Sequence, residues 1–427
     1  MSMNVPRPDR RPELDGLRGL FLVWMTLTHL PTRFSDFTNQ PIGFVSAAEG
    51  FVFISAMLVG RIYLREAQEN ALGVRFRIWK RSLKIYGYHL LMLALLFTVA
   101  AAFAERTHKA AISNLLTFYL AHPFVAIAGS VLLLYCPPLL DILPMYVTFL
   151  FFTPRLLLLG VRYGWAKILV TSALVWLFAQ YGLRDVVHDW IVRITHLQIP
   201  LQETGAFNLF AWQLVWVTGL WIGARSVEGH SPFYKLPRWV FWVSVASCLF
   251  FIGIRHGWLG PHLTQSALGL QLDKWQLGPM RVVNLIAFTI VIYALRGYLR
   301  WLVTIEPFVT LGKASLKVFC AHIFFVFVGL ALLYQAVGDD TGGPPEQLHW
   351  PTAILLLVVT FTALILVATR EVRKARDGRA PGDLEQTSNL NQALVPSPTG
   401  LPPSVSDHGP AESTSCSILA GHHLPGT

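Results

Sequence analysis

The chain has 427 residues, of which 54% are hydrophobic and only 14% are charged, and it contains 14 Trp and 28 Phe. This balance is typical of polytopic membrane proteins and excludes an ordinary soluble domain. The net charge of +10 would suggest a nucleic-acid partner in a soluble protein. Cationic loops instead orient membrane proteins in the bilayer, so we expect a lipid bilayer around this chain and no nucleic acid.

The chain begins with a polar, basic segment at residues 1–12, which we expect to be cytoplasmic and disordered. A membrane domain at 13–370 follows. It contains ten apolar segments that can each cross a bilayer as a helix. These segments are 15–31, 42–64, 86–104, 137–153, 166–182, 206–224, 238–255, 280–298, 308–335 and 352–369. The tail at 371–427 is rich in Pro, Ser and Gly, so we expect it to be disordered in the cytoplasm.

The distribution of positive charge predicts the topology. Of the 34 Lys and Arg, 26 lie in the N-terminal stretch through Arg18 and in the segments 61–84, 154–167, 225–238, 296–317 and 370–379. Because cytoplasmic loops carry the excess of Lys and Arg, we predict an all-α protein with about ten transmembrane helices and both termini in the cytoplasm. Another span at 110–133 would disturb this asymmetry, so we predict that this stretch is interfacial or re-entrant.

The first apolar segment carries ionisable side chains. Arg18 and His29 are eleven positions apart, so they share one helix face at a separation of roughly 16 Å. Asp15 lies one turn before Arg18 and can steady its guanidinium group. Charged groups are expensive in hydrocarbon, which favours a functional site, although Arg18 could equally be a topology anchor and His29 could merely end the helix.

The second segment carries Glu49 near the end that faces the same side as His29. A carboxylate beside an imidazole can orient the ring and raise its basicity, so we expect Glu49 to pair with His29. The alternative is an interfacial carboxylate exposed to water on the non-cytoplasmic side.

Residues 75–84 form a basic, aromatic run before the third segment. Such a run can fix the topology and contact anionic lipid headgroups. Alternatively, Arg81 and Lys84 can hold the phosphates of a cytosolic ligand.

Asp141 lies in a stretch broken by prolines. Irregular backbone at membrane depth is tolerated where it lines a cavity, so Asp141 can contact the hydroxyl groups of a ligand there or, equally, cap the next helix. The loops at 183–205 and 256–279 are long enough to shape a binding groove. Four tryptophans lie in or beside the loops predicted on the non-cytoplasmic side, namely Trp190, Trp258, Trp275 and Trp350. Tryptophan is enriched at membrane interfaces, which favours an anchoring role for them. A flat ring can also stack on a sugar face, but the sequence does not indicate which ring would.

The chain has no phosphate-binding glycine loop, no zinc-type spacing and no Gly-x-Ser-x-Gly elbow. These absences argue against an ATP-driven pump and a serine hydrolase, and we expect neither a metal nor a bound cofactor.

Leu-Asp-Gly-Leu-Arg-Gly, followed by His29 with ten residues between arginine and histidine, resembles the opening signature of the membrane acyltransferase-3 superfamily. The stretch from Arg11 to His29, together with Ser46-Ala-Ala-Glu-Gly-Phe-Val-Phe-Ile-Ser-Ala, is most similar to OpgC-type periplasmic-glucan succinyltransferases. Arg81-x-x-Lys84 matches the family's Arg-x-x-Arg donor pattern with lysine in the second place. Gly312-x-x-Ser-x-x-x-Phe-x-x-His322 resembles the superfamily's late pattern, with phenylalanine in place of tyrosine.

The resemblance implies a ten-helix enzyme of the bacterial inner membrane. Its acyl-CoA donor would be succinyl-CoA from the cytosol, and its acceptor an osmoregulated periplasmic glucan. His29 would be the general base oriented by Glu49, and Arg18, Arg81 and Lys84 would bind the donor. Asp141 and His322 are candidates for the acceptor site, although His322 can equally be a buried histidine bonded between helices.

Two alternatives stay open. One is an O-acetyltransferase for another surface polysaccharide. The other is a transporter or flippase that uses His29, Glu49 and His322 as a proton relay.

Overall fold

The computed structural model describes residues 11–229, 236–260, 263–333 and 347–377. Within these residues the chain forms helices joined by loops and contains no β-strand. The prediction of an all-α protein is therefore confirmed.

The α-helices of the described residues are, in chain order, α1 (Pro12–His29), α2 (Phe34–Thr38), α3 (Ala47–Glu69), α4 (Ala71–Leu95), α5 (Ala101–Thr107), α6 (Ala110–Ser113), α7 (Thr117–Ala121), α8 (Pro123–Val131), α9 (Ile142–Tyr163), α10 (Trp165–Gln180), α11 (Leu183–Thr195), α12 (Leu209–Val227), α13 (Arg238–Arg255), α14 (Gln265–Leu268), α15 (Pro279–Ala294), α16 (Arg296–Val303), α17 (Glu306–Lys313), α18 (Ser315–Leu332) and α19 (Trp350–Asp377). A π-helical turn at Leu96–Ala100 joins α4 to α5, and short 3-10 helices lie at Asn114–Leu116, Leu201–Thr204 and Gly269–Leu272.

Seven helical segments within the described residues are long and apolar enough to cross a membrane, and they are Ala47–Glu69, Ala71–Thr107, Ile142–Tyr163, Leu201–Val227, Arg238–Arg255, Ser315–Leu332 and Trp350–Asp377. Three pairs of helices meet the same criteria together but bend by 93°, 81° and 85°, so the number reaches ten if each pair is one span. The chain is thus a multi-pass membrane protein. The cytoplasmic placement of its termini stays a prediction.

Each of the ten predicted apolar segments contains a helix, and the segment at 238–255 coincides with α13. The helix of the third predicted span, α4, begins earlier in the chain than its apolar residues indicate. The Asn70 side chain caps α4 by accepting a hydrogen bond from the backbone N–H of Gly73 at 2.8 Å. The basic run at 75–84 is therefore helical and continues directly into the apolar part of the span.

The stretch at 110–133 is bent. Its helical parts, Ala110–Ala121 and Pro123–Val131, meet at 93°. Pro123 begins α8, where proline is tolerated because the first N–H groups of a helix lack helical partners. A broken span and a re-entrant loop both fit this bend, so the predicted non-crossing path stays a prediction.

Glycines bring α1 into backbone contact with α17. A Cβ atom on Gly19 would overlap the carbonyl oxygen of Phe308, and one on Gly312 would overlap that of Asp15. Small residues at helix interfaces allow such close approach within membranes. Gly219 and Gly223 of α12 similarly face the carbonyl oxygens of Phe53 and Met57 on α3. These contacts fix α1 and α3, which carry His29 and Glu49.

The predicted cytoplasmic segments fall mostly outside the described residues, which exclude 1–10 and 378–427. The predictions for 1–10 and 378–427 therefore stand as predictions, whereas the expected disorder is wrong at Pro12, which begins α1, and at 371–377. Residues 371–377 continue α19 as a helix.

Candidate active site

A cavity of about 390 Å³ lies between the C-terminal end of α1, the N-terminal end of α3 and the loops that precede α9, α12 and α15. Its acidic and basic lining residues are His29, Asp141, Glu203 and Lys274, and the thiol of Cys136 also lines it. Aromatic side chains that include Trp24, Phe118, Trp275 and Phe319 form much of the remaining wall. Charged groups and flat rings therefore face the same space.

His29 ends α1 at this cavity and contacts His322 of α18. The Nδ1 atom of His29 lies 3.4 Å from the Nε2 atom of His322, and the rings stack with centroids 5.7 Å apart. His322 is fully buried, whereas His29 is half-buried and lines the cavity. Only one member of the histidine pair therefore faces the space where a substrate can bind.

The hydrogen bonds of the pair determine the tautomer of each neutral ring. The Nδ1 atom of His322 lies 2.7 Å from the carbonyl oxygen of Phe319. A carbonyl only accepts, so Nδ1 of His322 is the donor and its Nε2 is an acceptor. His29 consequently donates through Nδ1 and retains a lone pair on Nε2. A ring held in this tautomer can act as a general base.

Glu49 is held away from this pair. Its carboxylate accepts hydrogen bonds from the backbone N–H and from the hydroxyl of Ser46. The first of these bonds belongs to a capping box at the start of α3, in which the Ser46 side chain accepts in turn from the backbone N–H of Glu49. The carboxylate also accepts from Nε of Arg281 at 2.6 Å, and both side chains are only 1% exposed. No hydrogen bond joins Glu49 to His29 in the described part of the chain. The imidazole of His322 occupies the partner position that we expected Glu49 to fill.

Arg18 lies on α1, eleven positions before His29, and several groups surround its guanidinium. It donates a hydrogen bond to the hydroxyl of Ser315, and Nη1 lies 4.0 Å from the Asp15 carboxylate. The guanidinium also lies 5.9 Å from the ring centroid of Phe51. Phe51 in turn stacks on Phe319 at 6.4 Å. This aromatic pair lies between Arg18 and His322, because Phe319 also contacts the His322 ring at 5.0 Å.

Arg81 and Lys84 lie on α4 and do not line the cavity within the described residues. Arg81 is half-buried and, like Arg18, is near enough to the hydroxyl of Tyr146 to act on it electrostatically. Lys84 is exposed and acts electrostatically on Glu371, which forms an ion pair with Lys317. The predicted donor residues are therefore grouped around α1, α4 and α18, apart from the cavity.

Asp141 lines the cavity directly before α9. Its Oδ2 atom accepts a hydrogen bond from the backbone N–H of Ala206 at 3.1 Å, and its side chain makes no cap hydrogen bond to α9. Burial raises the pKa of Asp141 to about 6, while the bond from Ala206 opposes this shift. Of the two roles predicted for Asp141, the structure favours a lining residue over a helix cap.

Lys274 and Trp275 are two lining residues that the motifs did not reveal, although Trp275 was one of four candidate rings. The ammonium group of Lys274 lies 4.6 Å from the Trp275 ring centroid. The Trp212 indole donates to the carbonyl oxygen of Lys274 at 3.2 Å, and the backbone N–H of Asn208 donates to that of Trp275 at 3.0 Å. The predicted loop at 256–279 therefore reaches the cavity in a fixed position, and the only sequence signal was its length.

A family model described as OpgC protein matches residues 10–375, a range that includes every candidate site residue from Arg18 to His322. No curated protein gives a significant match to the chain, and no solved structure does.

Proposed function

The chain belongs to the OpgC family, and on this premise we propose that it transfers a succinyl group from cytosolic succinyl-CoA to hydroxyl groups of osmoregulated periplasmic glucans. Family membership implies an acyltransferase with a role in glucan succinylation. We further propose that it works in the bacterial inner membrane, as that role requires.

The observation that supports this proposal most strongly is the histidine pair at the cavity wall. His322 is bonded to the carbonyl oxygen of Phe319, which leaves the lone pair of His29 on Nε2. The cavity at His29 also offers a carboxylate at Asp141 and an aromatic ring at Trp275, the groups that bind sugar hydroxyls and sugar faces.

In the proposed reaction, Nε2 of His29 accepts the proton of a glucan hydroxyl while the oxygen of that hydroxyl attacks the thioester carbonyl carbon. A carbon–oxygen bond forms, the carbon–sulfur bond breaks, and coenzyme A leaves as the thiolate. The His29 imidazolium then returns the proton to that sulfur, which gives the ester and free coenzyme A. His322 stabilises the imidazolium by accepting the hydrogen bond from Nδ1.

We propose that the donor comes from the side of α4. Its phosphates would bind near Arg81 and Lys84, and its acyl-pantetheine arm would pass Arg18 towards His29. The arm would have to displace the stacked rings of Phe51 and Phe319, which lie between Arg18 and His322. A long, thin arm suits this path better than the charged nucleotide does.

A proton-coupled transporter is the main alternative from another class, because two histidines in contact within a membrane can pass a proton. The relay that we considered for it also needs Glu49. That carboxylate is bound to Arg281 and Ser46 instead, which weakens this alternative.

Purified protein in nanodiscs, supplied with succinyl-CoA and a neutral glucan, tests the proposal. We expect release of one free thiol for each ester formed, with a succinyl mass increment on the glucan, and we expect His29→Ala to slow both about 10²- to 10⁴-fold. When acetyl-CoA is supplied together with succinyl-CoA, acetyl mass increments on the glucan would favour the acetyltransferase. Glucan translocation without thioester consumption would favour the transporter.

A further inference from the structure

Lys274 brings a positive charge to the cavity. Among the described lining residues, it is the one with a lysine or arginine side chain. It is half-buried, and no ion pair within 4.0 Å involves it in the part of the chain that the structure describes. The hydrogen bond from the fully buried Trp212 to its carbonyl oxygen holds the backbone in place. The cavity therefore contains a preorganised cation without an anion in contact.

The neighbouring charges do not neutralise Lys274. Glu49 and Asp141 act on it electrostatically and favour its charge, whereas Arg281 and burial disfavour it. Glu49 is already in contact with Arg281, and Asp141 is bonded to Ala206. Burial is the largest of these effects and lowers the pKa of Lys274, so the ammonium gains from an anionic ligand that replaces its lost hydration.

The position of this charge relative to His29 indicates which part of the substrates carries the anion. Lys274 and His29 line the same cavity. The hydroxyl groups of a glucan are neutral and need no cation. A succinyl group, by contrast, has a free carboxylate two methylene groups beyond the carbonyl carbon that is attacked beside His29. An acetyl group has nothing at that place.

We propose that Lys274 binds the free carboxylate of a dicarboxylic acyl group in the cavity and thereby selects succinyl over acetyl donors. This inference rests on the proposed function, because it requires that the protein transfer an acyl group from coenzyme A. It assigns the choice of acyl group to Lys274, while proton transfer remains with His29.

The experiment compares kcat/KM for succinyl-CoA, acetyl-CoA and the succinyl monoamide thioester with one neutral glucan. The monoamide keeps the size of the succinyl group and lacks its charge. We expect the wild-type protein to prefer succinyl-CoA to the monoamide. Lys274→Met should reduce kcat/KM for succinyl-CoA about 10- to 100-fold, a typical loss for one charged hydrogen bond, and leave the other two donors nearly unchanged.

Lys167→Met is the matched control, because Lys167 also lies over an aromatic ring, at 6.0 Å from Tyr163, but outside the cavity. It should leave all three values unchanged. An equal loss with all donors in Lys274→Met would show that Lys274 supports the fold or the acceptor, and would overturn the inference. So would a wild-type protein that uses the monoamide as well as succinyl-CoA, a comparison that needs no variant.

A wild-type protein that consumes none of the thioesters would overturn the proposed function itself. A protein that succinylates glucan without distinguishing the carboxylate from its amide would overturn only the assignment of Lys274.

Discussion

The two histidines of the cavity differ in which nitrogen is left for chemistry. His322 uses both ring nitrogens, one towards Phe319 and one towards His29, whereas Nε2 of His29 is not used in this pair. This arrangement resembles a base and its orienting partner, with a second imidazole in the place where a carboxylate is more familiar. A neutral partner stabilises the imidazolium less than a carboxylate does. We therefore expect His322 to contribute to catalysis mainly by fixing the position and the tautomer of the His29 ring.

We expect His322→Gln to lower kcat about 10- to 100-fold without changing the KM for either substrate, because the His29 ring loses the contact that orients it. His29→Ala should lower kcat about 10²- to 10⁴-fold, the usual contribution of a general base. Groups that act as a unit are not additive, so the double variant should be no slower than His29→Ala. Initial rates of ester formation at saturating substrate concentrations measure kcat for the two single variants and the double variant. Losses that multiply in the double variant would mean that the two rings act independently.

The charge of Asp141 should make acceptor binding depend on pH. Its pKa is raised to about 6, so the carboxylate is ionised at neutral pH and becomes protonated as the pH falls through 6. The protonated form accepts fewer hydrogen bonds from hydroxyl groups. We therefore expect the acceptor KM to rise below pH 6 while the donor KM does not. Asp141→Asn should raise the acceptor KM at neutral pH and remove this dependence. An unchanged pH profile in Asp141→Asn would remove Asp141 from the acceptor site.

At the scale of the helices, the buried pair of Glu49 and Arg281 links α3 to α15. Removing one partner of a buried ion pair typically destabilises a protein by about 3–5 kcal/mol, because the other charge is left without compensation. We expect Glu49→Gln to lower the thermal stability strongly and to leave the activity of the folded fraction within a few-fold of the parent. A stable Glu49→Gln protein with a kcat reduced a hundredfold would instead return Glu49 to the catalytic role that the sequence suggested.

Glycine contacts make the position of α1 sensitive to a single methyl group. In Gly19→Ala the new Cβ atom would overlap the backbone of Phe308, so α1 and α17 would have to separate. We expect reduced thermal stability in detergent and weaker donor binding, because Arg18 lies next to Gly19 and is bonded to Ser315. Gly87→Ala is the control: Gly87 is also in a membrane helix, but a Cβ there meets nothing within 4 Å. Equal melting temperatures for the two variants would contradict the packing argument.

How far the sequence predicts these elements depends on the range of the interaction. Apolar length identified the helical segments, and the spacing of Arg18 and His29 placed both on α1. The partner of Glu49 could not be inferred, since Arg281 lies 232 positions away and no local pattern pairs them. Lys274 was equally hidden, because a lysine in a long loop has no periodic signal. The glycines of the opening motif are evident in the sequence, but the sequence does not indicate that α17 is the helix that packs against them.

At the scale of the molecule, candidate donor residues and candidate acceptor residues occupy different places. Arg18, Arg81 and Lys84, which would bind the coenzyme A part of the donor, are grouped around α1, α4 and α18, while Asp141 and Trp275 line the cavity at the end of α1. His29 ends α1 at this cavity, eleven positions beyond Arg18. This separation is what a reaction between a cytosolic donor and a periplasmic acceptor requires, provided that the predicted topology holds.

The separation predicts that donor and acceptor binding can be impaired independently. Arg81→Gln combined with Lys84→Gln should raise the donor KM about tenfold, since the phosphates lose two cations, and should leave the acceptor KM nearly unchanged. Bulk attraction to anionic lipids could imitate this effect. Arg75→Gln combined with Arg162→Gln is therefore the control, because it removes the same charge from exposed positions on the same predicted side.

Initial rates in nanodiscs of fixed lipid composition, with each substrate varied in turn, measure both KM values. An equal effect of the two double variants would mean that the basic run acts only through surface charge. A rise in the acceptor KM alone, caused by Arg81→Gln with Lys84→Gln, would place the donor elsewhere. The path past Arg18 and the Phe51–Phe319 rings would then be wrong, because the nucleotide would have no cationic site at the start of it.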